Sequence, residues 1–319
     1  MSTKGVLRYT LEKNVLSADQ RIFYENNGYI VFPKLIPEDI LEKSSKRYDD
    51  IVAGKAPREG MIVMRDVKDR KTVNKIQDIN FDPIFRQYTE YDKLLDIVEC
   101  ITGPNIMAIH SMLIAKPPDA GFGTSVHPPH QDYYYFPLSP VDRIVASWTA
   151  IERCDNENGC LHVIPGSHKW EKLFPHDYPP GTQSNSFNKY YHGIFVSIFF
   201  SINIYVPLKS TFEDFVLFLK NLPENVKWIN LEMNTGDTVF FHPLLVHGSG
   251  VNRSNRTRKA ISCHYASADC NYIEGDEVQR KVQEEILNHL KRTMPDVEIN
   301  YSDIWRYKSS LVRGIRSNL

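Results

Sequence analysis

No Cys-x-x-Cys pair occurs in the 319 residues, and the five cysteines, Cys100, Cys154, Cys160, Cys263 and Cys270, are odd in number and widely spaced. That excludes a disulfide-framed scaffold and reads as an intracellular protein with free thiols. The sequons at Asn252 and Asn255 then count as chance matches. Long apolar runs are also lacking. The most apolar one, IFVSIFFSINIYVPL at 194–208, is interrupted by Ser197, Ser201 and Asn203. It falls short of the roughly 20 residues that a membrane helix needs, so no stable membrane insertion is expected. The first residues, MSTKGVLRYTLEK, contain no apolar core of a secretory signal. Charge of one sign is missing as well: 38 Lys and Arg stand against 39 Asp and Glu, a net charge of −1. Nothing broad attracts nucleic acid or an anionic membrane.

What is present is ordinary globular composition, 42% hydrophobic and 24% charged, in a chain long enough to bury a large core. The first third reads as helices with short strands. Ser17 and Gln20 form a capping box, with a stop at Asn27-Gly28. The strand YIVF follows, and Pro37 sits where the first turn of a second helix tolerates it. Asp82-Pro83 opens another helical stretch, and Leu94, Leu95, Ile97, Val98 and Ile101 mark an apolar side before Gly103-Pro104.

The texture changes near residue 105. Strand-length runs IMAIHSMLIA, RIVASWTAI, LHVI, DTVFF and KAISCHYA alternate with turn clusters rich in Gly, Pro and Asn. Many short strands so punctuated predict a sandwich or jelly roll. Val278, Val282, Ile286 and Leu290 make one stripe of a C-terminal helix over about 276–294. With no internal repeat or low-complexity linker, the expectation is a single domain over 1–319. It has a helical N-terminal part, 1–104, and a β-core over about 105–270.

The residues that carry chemistry begin with His130-Gln131-Asp132. On an extended strand, residues two apart share a face, so an imidazole and a carboxylate can grip one metal from adjacent corners. Of the eleven histidines, only His130 has an acid two residues on. This is half of the 2-His-1-carboxylate triad of non-haem Fe(II) oxygenases; a polar turn after Pro128-Pro129 is the competing reading. The second histidine must come from a distant strand. GDTVFFHPLLVHGSG offers His242, read as a core histidine at a strand end, and His247, which precedes small residues that let a ligand approach. Composition does not choose between them. Arg258 suits bidentate binding of a carboxylate, or else is a solvated charge within NRSNRTRK. Trp148 is core or pocket wall. Alternation would send Tyr134, of the run Tyr133, Tyr134 and Tyr135, to the metal face. Cys160, Cys263 and Cys270 read as small buried residues.

Together HQDYYYFP, SWTAIER, NGCLHVIPGSHK, GDTVFFHPLLVHGSG and RKAISCHYASADC resemble the phytanoyl-CoA dioxygenase family, with likeness from about Tyr9 to Trp305. The resemblance implies a mainly β, double-stranded β-helix (jelly-roll, cupin-like) core flanked by α-helices. It implies Fe(II)- and 2-oxoglutarate-dependent hydroxylation of carbon 2 of phytanoyl-CoA or a related acyl-CoA, feeding fatty acid α-oxidation, with O2 and ascorbate. By the same resemblance His130, Asp132 and His247 bind iron, and Arg258 and Ser249 hold the distal carboxylate of 2-oxoglutarate. Lys75, Met112, Gln131 and Trp148 fall at other cosubstrate-lining positions.

Two features depart from the family pattern. The chain begins near the mature start of the family's mammalian members, so peroxisomal import through a receptor is expected to rest on Ser317-Asn318-Leu319. The stretch of about 195–219 has no counterpart and is expected to be an insert outside the core fold. Three alternatives stand beside the main reading: the same chemistry on a non-CoA small molecule, a non-catalytic acyl-CoA or lipid carrier, and a metal-dependent cupin isomerase or hydrolase.

Overall fold

A computed structural model describes residues 7–121, 123–178, 191–194 and 226–319; the expected insert at about 195–219 lies outside the described residues. Three elements open the chain: α1 (Ala18–Asn27), β1 (Tyr29–Phe32) and α2 (Glu38–Val52). Ser17 and Gln20 cap α1 reciprocally, as the sequence predicts. Pro37 is the N-cap of α2 rather than its first residue. The hairpin β2 (Ile62–Arg65) and β3 (Val73–Gln77) comes next, then α3 (Arg86–Thr89) and α4 (Asp92–Thr102).

The strands β4 (Ile106–Lys116), β5 (His127–His130), β6 (Leu138–Ser139), β7 (Ile144–Ala150) and β8 (Leu161–Val163) follow. After them come β9 (Ile229–Leu231), β10 (Thr238–Phe241), β11 (His247–Ser249), β12 (Arg258–Ser267) and β13 (Asn271–Tyr272). The chain closes with α5 (Glu277–Thr293), α6 (Tyr301–Lys308) and β14 (Ser310–Arg313).

Among the described residues, the larger antiparallel sheet runs β1-β10-β7-β12-β4-β3-β2, with β14 also on β4; the smaller runs β5-β11-β8-β9. The sheet therefore recruits β1, β2 and β3 from before residue 105 and β14 from after 270, beyond the expected β-core. Long central strands expose rows of N–H and C=O groups, and these flanking strands pair with them.

Alternation along the large sheet sorts two layers. Leu113, Ala115, Val145, Phe240, Ile261, Cys263 and Tyr265 face outward and share one buried cluster with Ile40, Leu41 and Tyr48 of α2 and Leu94, Leu95, Val98 and Ile101 of α4. Each fully buried Leu or Ile in that layer contributes about 1.5–3 kcal/mol. Ala146, Trp148, Ala150, Val239, Phe241 and Ala260 face inward. They meet Leu161, Val163 and Leu231 of the small sheet, so the two sheets face each other across one apolar layer. All five cysteines are free and buried. No helix among the described residues is long and apolar enough to cross a membrane. Leu319 is buried at 4% exposure, and its N–H and that of Asn318 donate to the Ala268 carbonyl.

Candidate metal centre and anion pocket

The small sheet brings the two histidines together. His130 ends β5 and His247 begins β11, and they are direct register partners across that antiparallel pair. Their ring centroids lie 4.2 Å apart. Asp132 departs from the strand expected for it: it opens a short 3₁₀ turn, Asp132–Tyr134. Gln131, still extended, sends the aspartate back to the side of His130, so the shared face survives. The turn ends the alternation, however, and Tyr134 stacks on His176 at 4.3 Å instead of facing the metal site.

One ligand atom from each of His130, Asp132 and His247 lies within 4.8 Å of the others, and all three residues are buried. Asp132 Oδ1 is 3.4 Å from His130 Nε2 and 3.8 Å from His247 Nε2. Each imidazole spends its other nitrogen on backbone: Nδ1 of His130 meets the Pro128 carbonyl at 2.8 Å, and Nδ1 of His247 meets the Leu245 carbonyl at 3.0 Å. Those bonds place the proton on Nδ1 and turn an acceptor Nε2 inward. Burial, then the neighbouring His130, pushes His247 down to about 4. Burial opposes ionisation of Asp132, but the surrounding imidazoles, His247 and His264 foremost, outweigh it and hold the carboxylate well below its usual range. The His247 imidazole, the Nε2 of His130 and the Asp132 carboxylate together make a donor set that suits a divalent cation.

His242 is elsewhere. It is fully buried, packs edge-on against Tyr9, and its Nε2 lies 3.4 Å from Asp142. That is the core role read for it.

The remaining expected residues divide. Lys75, Met112, Trp148 and Arg258 lie on β3, β4, β7 and β12 at positions of equal parity, linked by the register Gln77–Met112–Ser262–Trp148, so all face the inner layer. Lys75 is buried with its Nζ over the Tyr191 ring at 4.8 Å, and burial lowers it to about 8. Arg258 is 1% exposed, packs 5.2 Å from the Trp148 ring and donates through Nη2 to the Gly159 carbonyl at 3.0 Å. It is not the solvated charge that its polar segment permits. Ser249 is buried two residues beyond His247. Gln131 is engaged away from the trio: its Nε2 donates to the Lys172 and Leu244 carbonyls, and its Oε1 accepts from the Phe174 N–H, each at 2.9 Å.

Two residues escaped the sequence reading. His264 Nε2 lies 2.8 Å from Asp132 Oδ2. Lys116 donates from Nζ to Ser249 Oγ at 2.7 Å. Both sit inside apolar strand runs, IMAIHSMLIAK and KAISCHYA, and only the parity of position with Met112 and Ser262 could have marked them.

Close approach of backbone shapes this region. A Cβ at Gly248 would lie 2.7 Å from His162 Nε2 and 2.8 Å from the His127 carbonyl, so β11 can nest between β5 and β8 only with glycine there.

Known proteins resemble this chain in sequence and in fold. The family model described as phytanoyl-CoA dioxygenase (PhyH) matches residues 24–260. Peroxisomal phytanoyl-CoA dioxygenase of Homo sapiens is 41% identical over 322 aligned positions, covering 98% of this chain and 87% of that protein. A probable phytanoyl-CoA dioxygenase of Caenorhabditis elegans is 41% identical over 341 positions, covering both chains fully. Among solved structures, apo EctD from S. alaskensis superposes with a TM-score of 0.59 at 17% identity over 83% of each chain, a likeness of fold. A second structure of EctD contains 2-oxoglutarate and 5-hydroxyectoine and superposes with a TM-score of 0.58 at 17% identity, covering 82% of this chain and 80% of that one.

Proposed function

This chain belongs to the phytanoyl-CoA dioxygenase (PhyH) family, and from that premise we propose that it uses Fe(II) and 2-oxoglutarate to hydroxylate carbon 2 of phytanoyl-CoA or a related branched or long-chain acyl-CoA. The observation that carries the reading is the convergence of His130 Nε2, Asp132 Oδ1 and His247 Nε2 on one face of the small sheet. Arg258 stands on the large sheet, beside Trp148. When bound, the iron with 2-oxoglutarate and O2 supplies the oxidising power; ascorbate serves to keep the metal ferrous.

The protein's own part is geometry. His130, Asp132 and His247 hold the metal from one side, leaving the other side open for small ligands. Arg258 and Ser249 receive the distal carboxylate of the cosubstrate, with Met112, Trp148 and Lys75 lining its inner wall. The apolar layer between the sheets excludes water, which strengthens every charge interaction inside it. A non-catalytic carrier would have no use for an open three-donor site, which argues against that alternative.

A peroxisomal setting draws support from the names of the relatives. The burial of Leu319 means that an import receptor reading Ser317-Asn318-Leu319 would first have to draw that residue off the Ala268 strand end.

The test is anaerobic loading with Fe(II), then addition of O2, ascorbate and 2-oxoglutarate with phytanoyl-CoA or straight-chain acyl-CoAs. Succinate and 2-hydroxyacyl-CoA should form in equal amounts. Succinate formed only with a substrate lacking CoA would overturn the acyl-CoA assignment, and no succinate with any substrate would overturn the dioxygenase reading.

A further inference from the structure

Lys116 is the last residue of β4, and its register partner on β12 is Arg258. Each has its parity partners, Met112 and Ile114 or Ala260 and Ser262, on the inner face. The two cations thus enter the same end of the inter-sheet space, at 5% and 1% exposure. Gly159 ties them together. Arg258 Nη2 donates to its carbonyl, and a Cβ built on Gly159 would lie 3.0 Å from Lys116 Cδ and 2.5 Å from the Gly250 carbonyl.

Neither cation has an acidic partner within ion-pair distance among the described residues. Burial, then the neighbouring Arg258, pushes the Lys116 ammonium well below its usual range, and an anion bound between the two would favour its charged form. Asp119, the one carboxylate acting on Lys116, accepts through Oδ2 from the Gly121 and Gly123 N–H groups. Glu152, which acts on Arg258, accepts from the Lys259 N–H. The neighbouring thiols Cys154 and Cys160 are pushed up by burial to about 12 and about 11, so they carry no charge near neutral pH. Arg258 Nε and Nη1 are buried with no hydrogen-bond partner among the described residues. Two buried cations side by side without a counter-charge are costly, and a bound anion removes the cost.

We propose that Lys116 is a third member of the cosubstrate's carboxylate site, acting with Arg258 and Ser249 on the distal carboxylate of 2-oxoglutarate. This inference rests on the cosubstrate reading above. Lys116 acts in two ways. Its charge adds to that of Arg258, and its bond to Ser249 Oγ occupies an oxygen lone pair, which leaves the Ser249 O–H free to donate to the anion. Lys116 also donates to the Gly250 carbonyl, fixing the backbone immediately after the serine.

The experiment titrates 2-oxoglutarate calorimetrically into Mn(II)-loaded wild type, Lys116→Met and Lys116→Arg, with Mn(II) affinity and thermal melting of each variant measured in parallel. Lys116→Met should weaken 2-oxoglutarate roughly 10- to 100-fold, the size of a lost charge-assisted hydrogen bond, and leave Mn(II) affinity unchanged. Lys116→Arg should recover part of the loss. Equal 2-oxoglutarate affinity in wild type and Lys116→Met overturns the inference and leaves the dioxygenase reading standing. Loss of Mn(II) affinity together with 2-oxoglutarate affinity overturns it too, by making Lys116 a support of the β11 backbone. A wild type that binds Mn(II) but not 2-oxoglutarate overturns the cosubstrate reading itself, and this inference with it.

Discussion

His264 and Asp132, 132 residues apart in the chain, meet at 2.8 Å between Nε2 and Oδ2. The large sheet thereby holds one oxygen of the carboxylate while the other faces His130 and His247 on the small sheet. A carboxylate so held cannot rotate to offer both oxygens, which keeps it a single-atom donor.

Removing that hold should loosen the site without deleting a ligand. His264→Ala is expected to weaken divalent-metal binding about 10- to 100-fold, the usual effect of losing an outer partner. Equilibrium dialysis with Mn(II) measures it. His264→Gln, whose amide N–H can still donate, should restore part of the affinity, and an unchanged His264→Ala would show that the bond orients nothing.

Asp132→Ala removes the one anionic donor and the point on which both imidazoles converge. Turnover should fall to background and Mn(II) binding should be lost, and the melting temperature of the metal-free protein should fall, since His264 loses its buried partner. Retained metal-dependent succinate formation would remove Asp132 from the metal set.

Arg258→Ala should act on the cosubstrate alone. The 2-oxoglutarate concentration for half-maximal succinate formation should rise roughly 10- to 100-fold, with Mn(II) affinity intact. Arg258→Lys should restore little, because an ammonium lacks the planar fork.

Gln131 serves stability rather than binding. Gln131→Ala strands the Phe174 N–H and the Lys172 and Leu244 carbonyls. A cost of roughly 2–4 kcal/mol in urea unfolding follows from leaving buried groups unpaired. A folded, fully stable variant would contradict this.

Buried neutral histidines set an acid limit on stability. Burial, above all other influences, lowers His162, His168 and His176 to about 3. Their unfolded imidazoles protonate near pH 6.5, so between about 3 and 6.5 the unfolded chain binds more protons than the folded one. Stability is therefore complete above pH 6.5 and declines as pH falls below it, by up to roughly 2 kcal/mol per imidazole at pH 5. Melting of the metal-free protein at pH 8, 7, 6 and 5 should show no change over the first pair and a progressive fall thereafter.

The sequence by itself determined several helices, the central strands and the chemical types. Capping at Ser17 and Gln20, the apolar side of α4, the stripe of α5 and the period-two strand runs are local signals, because a helix or strand is specified by neighbours within one or two turns. The pair His130 and Asp132 was legible for the same reason: two residues apart on extended chain share a face. Even there a local detail escaped, since the 3₁₀ turn at Asp132 redirects Tyr134 onto His176.

Which distant residues meet was decided by strand register. The pairing of β11 with β5 set His247 against His130 and left His242 in the core beside Tyr9. The pairing of β12 with β4 set Arg258 against Lys116, and the alternation that turns Ser262 inward brought the His264 ring to Asp132. A lysine and a histidine within apolar runs carry no local mark of function. Their roles arise because two sheets closed over them and removed the water that would otherwise have satisfied their charge and hydrogen bonds.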